Sequence, residues 1–250
     1  MELDQFFHRN PKIAIAFSGG VDSSYLLYCA KSYGAQVKAY YVKTLFQPQF
    51  EYEEAKEFAK QINVNFQTIE LDILSYPDIA SNPCNRCYIC KKRMFTAILE
   101  AANKDGYPLV LEGSNASDNP DDRPGMLALK ELGIRSPLRE VGLTKEEIRS
   151  LSKDAGLSTY NKPANSCLAT RIPTGTALTA SNIYRTEQSE NFLRSMGFSN
   201  FRIRMLGSAA KIQLPANQYD SLLQHRKAVL SELKKYYSNI YLDLEDRNES

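Results

Sequence analysis

The stretch from Lys12 to Ala30, KIAIAFSGGVDSSYLLYCA, decides the fold. Its first part is an unbroken apolar run of strand length, which suits a parallel strand buried on both faces. SGG then marks a tight turn, and helical spacing follows through SSYLLYCAKSYG until Gly34, placed as a C′ residue. Strand, glycine turn and helix in that order make a phosphate cradle. Gly19 and Gly20 open backbone conformations closed to other residues, and the first amides and dipole of the helix favour an anion. Ser18, Ser23 and Ser24 add hydroxyls, and Asp22 is placed to hold Mg2+ against phosphates. A Walker A loop carries a lysine after its last glycine; this loop has none.

Outward from this stretch, QVKAYYV reads as a strand, EYEEAKEFAKQI as an amphipathic helix and NFQTIEL as a strand. Beyond a loop of cysteines, KKRMFTAILEAANKDG reads as a helix and PLVLEG as a further strand. Such alternation with short connections predicts an α/β fold with a doubly wound parallel sheet. TKEEIRSLSKDAG opens with capping-box spacing between Thr144 and Glu147. A loop with Pro163 and Pro173 follows, and the domain boundary is expected there, dividing the chain into residues 1–175 and 176–250. In the second part a helix, the strands FRIRML and AAKIQL, a helix from Ala216 to about Tyr237 and the strand NIYLDLE suggest a smaller C-terminal α+β domain.

The 250 residues suffice for one large domain or two moderate ones, and 43% hydrophobic with 24% charged residues is ordinary for a soluble globular chain. A net charge of +2 lacks the basic excess of nucleic-acid binders, although CKKR at Cys90 to Arg93 is a local basic cluster. No apolar run approaches a membrane span, and MELDQFFHRNPK lacks the pattern of a signal peptide, so a cytoplasmic protein is expected. His8 and His225, the two histidines, lie in no motif, which argues against a histidine-dependent triad. The five cysteines are Cys29, Cys84, Cys87, Cys90 and Cys167. Clustered cysteines in a cytosolic chain point to metal or catalysis rather than disulfides, while Cys29 shares an apolar helix face with Leu26 and reads as core.

The string SGGVDSS resembles the signature of the PP-loop superfamily, the ATP pyrophosphatases, whose domain is a HUP-like α/β fold. NRCYICKKRMF (Asn85 to Phe95), EGSNASDNPDDRPGMLALKE (Glu112 to Glu131), SPLREVGLTKEEIR (Ser136 to Arg149) and KPANSCLATRIPTG (Lys162 to Gly175) are together similar to the LarE family of ATP-dependent sulfur-insertion enzymes. The resemblance covers roughly residues 10 to 185. It implies that Ser18, Gly19, Gly20, Val21, Asp22, Ser23 and Ser24 hold the β- and γ-phosphates of ATP, with adenine near Ala39 to Val42 and Tyr41 among its contacts. A carboxylate or carbonyl oxygen of a small nucleotide-like substrate would attack the α-phosphorus. A sulfide donor and a homo-oligomer are also implied.

Family chemistry takes two forms. Either one cysteine, matching Cys167 here, gives up its own sulfur, or three cysteines hold a [4Fe-4S] cluster that carries the sulfide. Cys84, Cys87 and Cys90 recur every third residue, which lets thiolates converge on one metal or cluster when a loop wraps it. A CxxC pair on one loop with one distant cysteine also resembles the pattern of the cluster-dependent tRNA thiolases of the PP-loop superfamily, and that resemblance implies Cys87, Cys90 and Cys167 as cluster ligands, with Cys84 as a spare, an alternative ligand or a relay. A structural zinc held by all four and a sacrificial Cys167 stay open, as do a tRNA thiolase and an amide-forming synthetase. Where sacrificial families carry an acidic HGDxARIE-like string, this chain has LGSAAKIQ, with Ser208 and Gln213 at the acidic positions. Arg171, following Cys167, has a fork suited to phosphate and is expected to be catalytic. Asp121, Asp122 and Arg123 occupy a polar turn beyond a strand end, where open α/β sheets bind ligands. Glu187 resembles a family acid near the sulfur site.

Overall fold

The computed structural model describes residues 2–118 and 125–247. The chain begins with α1 (Leu3–Arg9), β1 (Lys12–Ala16), α2 (Val21–Ser32), β2 (Gln36–Lys43), α3 (Gln49–Gln61) and β3 (Asn65–Glu70). Next come α4 (Pro77–Ala80), α5 (Arg86–Lys104), β4 (Val110–Leu111), α6 (Gly125–Glu131), α7 (Pro137–Glu140) and α8 (Lys145–Asp154). α9 (Ala180–Ser195), β5 (Arg202–Leu206), β6 (Ala209–Gln213), α10 (Tyr219–Gln224), α11 (Arg226–Leu233) and β7 (Ile240–Leu242) follow. Two compact units result: Met1–Ile73 with Asn85–Lys162, and Leu74–Cys84 with Pro163–Ser250.

In the first unit the strands run parallel in the order β3-β2-β1-β4. Because side chains alternate along β1, Ile13 and Ile15 enter one apolar cluster with Leu26 and Leu27 of α2. Ala14 enters another with Phe95 and Ile98 of α5. The continuous apolar run of β1 is thus explained by helices on both faces, the doubly wound arrangement expected. The chain moves outward from β1 through β2 to β3, then returns to β4 on the other side of β1. The carboxyl ends of β1 and β4 therefore flank a topological switch point, where open α/β sheets bind ligands.

Local signals hold where sequence chemistry is strong. Gly34 ends α2 at φ +79°, and Thr144 with Glu147 forms a reciprocal capping box on α8. Two helices differ from expectation. α5 starts at Arg86 rather than beyond the cysteines, because RCYICKKRMF holds no breaker once Pro83 is passed. Cys87 and Cys90 consequently sit on helical turns and not on a wrapping loop. The expected helix from Ala216 to Tyr237 is interrupted at His225, where ψ reaches 9° and the ring Nδ1 lies 2.8 Å from the Ser221 carbonyl.

The second unit carries the sheet β5-β6-β7, with β5 antiparallel and β7 parallel to β6. Its helices α9 and α11 bury Ile183, Leu193 and Leu233, giving the α+β arrangement expected. The division falls at Lys162–Pro163 rather than near residue 175. Asn82, buried at φ +57°, donates from Nδ2 to the carbonyls of Pro173 (2.8 Å) and Thr176 (3.0 Å) and accepts from Gly175 N–H at 2.8 Å. The proline loop that reads as a linker is stitched into the second unit.

Candidate active site

At the switch point of the first unit lies a cavity of about 310 Å³. Ser18, Gly20, Asp22 and Ser23 line it after β1, Tyr41 and Val42 at the end of β2, and Glu112, Gly113 and Ser114 after β4. The loop winds on itself: Ser23 Oγ lies 3.0 Å from Ser18 Oγ and donates to the Gly20 carbonyl at 3.2 Å. Gly19 needs its φ of +72°, and a Cβ there would meet Ala55 Cβ at 2.8 Å. A Cβ on Gly113 would come within 2.8 Å of Ser23 N, so the β4 end and the α2 N-terminus touch backbone to backbone. The Tyr41 hydroxyl is buried at the cavity wall with no hydrogen-bond partner among the described residues. Burial, and then the Glu51 carboxylate, push this phenol up. A cavity whose floor is a helix N-terminus, ringed by loop amides and hydroxyls, fits a nucleotide.

Polar groups from later in the chain surround the loop. Asp22 accepts from Asn115 Nδ2 at 3.2 Å and from Lys145 Nζ at 2.6 Å. Lys162 Nζ donates to the Gly19 carbonyl at 3.0 Å and pairs with Glu54 at 2.7 Å. Glu112 accepts from Ser114 N–H (3.0 Å), Ser114 Oγ (2.9 Å) and Ser136 Oγ, which fixes the turn after β4. Asp118 also lines the cavity and accepts from Asn115 N–H at 3.1 Å. Within CKKR, Lys91 lines the cavity, whereas Lys92 pairs with Glu131 at 2.7 Å. Asp22 and Asp118 offer the hard oxygen donors that Mg2+ prefers. Asp121, Asp122 and Arg123 lie outside the described residues.

The cysteines divide between the units: Cys87 and Cys90 in the first, Cys84 and Cys167 in the second. Cys87 is exposed and Cys90 half-buried, one turn apart on α5, a spacing that suits two thiolates of one cluster. Among the described residues no group of three or more His, Cys, Asp and Glu side chains is arranged to hold a metal. Cys167 is half-buried at the start of a 3₁₀ turn, Leu168–Arg171, and its carbonyl accepts from Thr170 Oγ1 at 2.8 Å.

Arg171 departs from expectation. It is buried and grips Glu190 through Nε (2.7 Å) and NH2 (3.1 Å), while NH1 donates to Ser166 O, Ser166 Oγ and Thr170 Oγ1. Its fork is occupied by protein and holds the Cys167 segment. Glu190, which reaches that segment through Arg171, lies one turn beyond the half-buried Glu187.

Arg202, Arg204 and Arg247, which motif reading passed over, gather near Arg171. Burial, and then Arg247, Arg171 and Arg204, push Arg202 down to about 10. Its Nε is buried without a partner among the described residues. Gln213 donates to Asp243 at 2.7 Å, so an acid from beyond β7 reaches the position where LGSAAKIQ lacks one.

A parallel sheet with a lysine-free phosphate loop at its switch point defines an ATP pyrophosphatase of the PP-loop type. Residues 12–82 match the family model described as queuosine biosynthesis protein QueC. The pyridinium-3,5-bisthiocarboxylic acid mononucleotide synthase of Lactiplantibacillus plantarum is 32% identical over 93% of this chain and 86% of its own length. Uncharacterized protein slr1717 of Synechocystis is 35% identical over 97% of this chain and 92% of its own. The tRNA-specific 2-thiouridylase MnmA 2 of Clostridium botulinum (strain Loch Maree) is 26% identical over 60% and 52%. The chain belongs to the LarE family of ATP-dependent sulfurtransferases. No helix among the described residues is long and apolar enough to cross a membrane.

Proposed function

We propose that this protein adenylates a carboxylate or carbonyl oxygen on a small nucleotide-like acceptor and then replaces AMP by sulfur. The observation that carries it is the lysine-free loop opening α2 into the switch-point cavity, in a chain similar to a synthase of a bisthiocarboxylic acid mononucleotide. An acceptor oxygen attacks the α-phosphorus, the bond from that phosphorus to the bridging oxygen breaks, and pyrophosphate leaves. Sulfide then attacks the activated carbon, and the bond from that carbon to the AMP oxygen breaks.

Ser18, Gly19, Gly20, Val21, Asp22, Ser23 and Ser24 would hold the departing phosphates through loop amides and hydroxyls. The orphaned Tyr41 hydroxyl would take a polar group of the nucleotide. Asp22, with Asp118 nearby on the cavity wall, would hold Mg2+, which when bound offsets phosphate charge. Cys87 and Cys90 would hold a [4Fe-4S] cluster, which when bound supplies an iron that carries sulfide. Cys167 as third ligand and Cys84 as spare rest on sequence grounds. Arg202, Arg204 and Arg247 of the second unit, a desolvated cationic group, would hold an anion such as the acceptor's phosphate; Arg171 would position the Cys167 segment. A cytoplasmic homo-oligomer fed by an external sulfide donor completes the proposal.

The test is iron and acid-labile sulfide content of protein purified without oxygen, followed by sulfur transfer from added sulfide. Iron and sulfide in equal amounts, lost in Cys87→Ser and Cys90→Ser, are expected. Metal-free protein in which Cys167 loses its own sulfur in one turnover would refute the cluster, and one stoichiometric zinc would make the cysteines structural.

A further inference from the structure

The cavity at the switch point is lined by two unlike sets of side chains. Ser18, Gly20, Asp22 and Ser23 make a polar cradle, whereas Val42, Met94, Phe95 and Ile98 offer an apolar wall. A nucleotide whose phosphates sit at the α2 N-terminus puts its base against that wall. In such a pocket the few polar groups set among apolar ones fix orientation and identity. Gln47, in the turn between β2 and α3, lines the cavity and brings one amide to it.

Two bonds decide which end of that amide is free. Thr44 N–H and Thr44 Oγ1 donate to Gln47 Oε1 at 2.9 and 2.7 Å. A backbone N–H can be met only by the amide oxygen, so oxygen and nitrogen are not interchangeable here. Thr44 is itself buried, and its Oγ1 accepts from Phe46 N–H at 3.0 Å, which closes the turn. Lys43 Nζ donates to the Gln47 carbonyl at 3.0 Å. Main chain and side chain of Gln47 are thus both held. What is left is Nε2, whose two hydrogens no group among the described residues accepts. The amide offers a donor and hides its acceptor.

We propose that Gln47 selects the base of the nucleotide, donating from Nε2 to ring atom N1 of adenine. A purine is tied to its ribose through N9, so the N1 edge points away from the phosphates. In adenine N1 is a bare acceptor. In guanine and hypoxanthine it carries a hydrogen, which would meet the Nε2 hydrogens head on. A buried donor without an acceptor is costly, and a site built around one such bond rejects the analogue that cannot make it. Thr44 is a positioning residue that keeps the amide from turning over. This rests on the reading that the cavity takes ATP, and it adds which residue sets ATP apart from other purine triphosphates.

The experiment is calorimetric binding of ATP and of ITP, whose base is hypoxanthine, to the full chain with Mg2+ and no acceptor. Wild type, Gln47→Met, Gln47→Glu and Thr44→Val are compared. Wild type should favour ATP by about tenfold, the worth of one hydrogen bond. Gln47→Met should lose about that factor on ATP and little on ITP. Gln47→Glu, whose outward oxygen accepts the hydrogen on hypoxanthine N1, should reverse the order and favour ITP. Thr44→Val should narrow the ratio, because the amide is freer to turn over. The added charge of Gln47→Glu weakens both triphosphates alike, so the ratio within each protein is the readout, and misfolding cannot imitate a reversal. The wild-type ratio in every variant, or equal losses on both nucleotides, would overturn the selecting role while leaving ATP use intact. Wild-type protein that binds neither nucleotide would overturn it together with the reading beneath it.

Discussion

Replacing Arg171 by Met removes one half of an ion pair in which the two side chains are 2% and 4% exposed. Glu190 is then left in a buried site where, among the described residues, the Ile203 N–H, 3.0 Å from Oε1, is its remaining hydrogen bond and Arg202, Arg204 and Arg247 are its charged neighbours. Breaking a buried pair from one side costs about 3–5 kcal/mol. With a urea slope of about 2 kcal/mol per molar for a unit of this size, the midpoint of the second unit should fall by about 2 M. Adding Glu190→Met removes the stranded carboxylate as well, so the double variant should recover more than half of the loss. Circular dichroism gives the transition, and hydrogen exchange at β5 amides assigns it to the second unit. The result that would refute the reasoning is Arg171→Met unfolding at the wild-type midpoint while losing acceptor binding. That outcome would return Arg171 to the phosphate-binding role its place after Cys167 suggests.

Gly113→Ala should press a methyl group against Ser23 N at 2.8 Å; backbone cannot yield cheaply, so a loss of about 1–3 kcal/mol and weaker ATP binding are expected, measurable by thermal melting and calorimetry. Cys29 is pushed up by burial from the ordinary 9.0 to about 11. Its folded pKa exceeds the unfolded one, so the thiol's contribution is full below about pH 9 and lost as pH rises toward 11. The wild type should therefore lose up to about 2–3 kcal/mol more than Cys29→Ala across that window, read as the difference in urea midpoints against pH. Iodoacetamide should label the exposed Cys84 and Cys87 before Cys29, as peptide mapping over time would show; early labelling of Cys29 would mean that α2 opens locally.

How far the sequence reached depended on the range of the interaction. The strand–loop–helix around Gly19, the Gly34 stop and the capping box at Thr144 are local, with partners within a few residues, and these stand in the structure. The start of α5 was missed because cysteine spacing favours a wrapped loop, while the same residues contain nothing that halts a helix. Partners distant in sequence were illegible. Lys145 lies 123 positions from Asp22, and no periodicity announces that pair. Arg171 read as a phosphate fork because it closely follows Cys167 in sequence, yet Glu190, 19 positions on, claims it. Arg202 and Arg204 alternate along β5 in the pattern of an ordinary solvated face; only the fold brings Arg171 and Arg247 beside them.

The most direct test of adenylation uses a mononucleotide carboxylate labelled with oxygen-18 in its carboxyl group, together with ATP, Mg2+ and sulfide. Phosphorus NMR then follows the products. Attack by the carboxylate on the α-phosphorus predicts pyrophosphate and AMP carrying one labelled oxygen for each thiocarboxylate formed. ADP and inorganic phosphate, or AMP without label, would contradict the account.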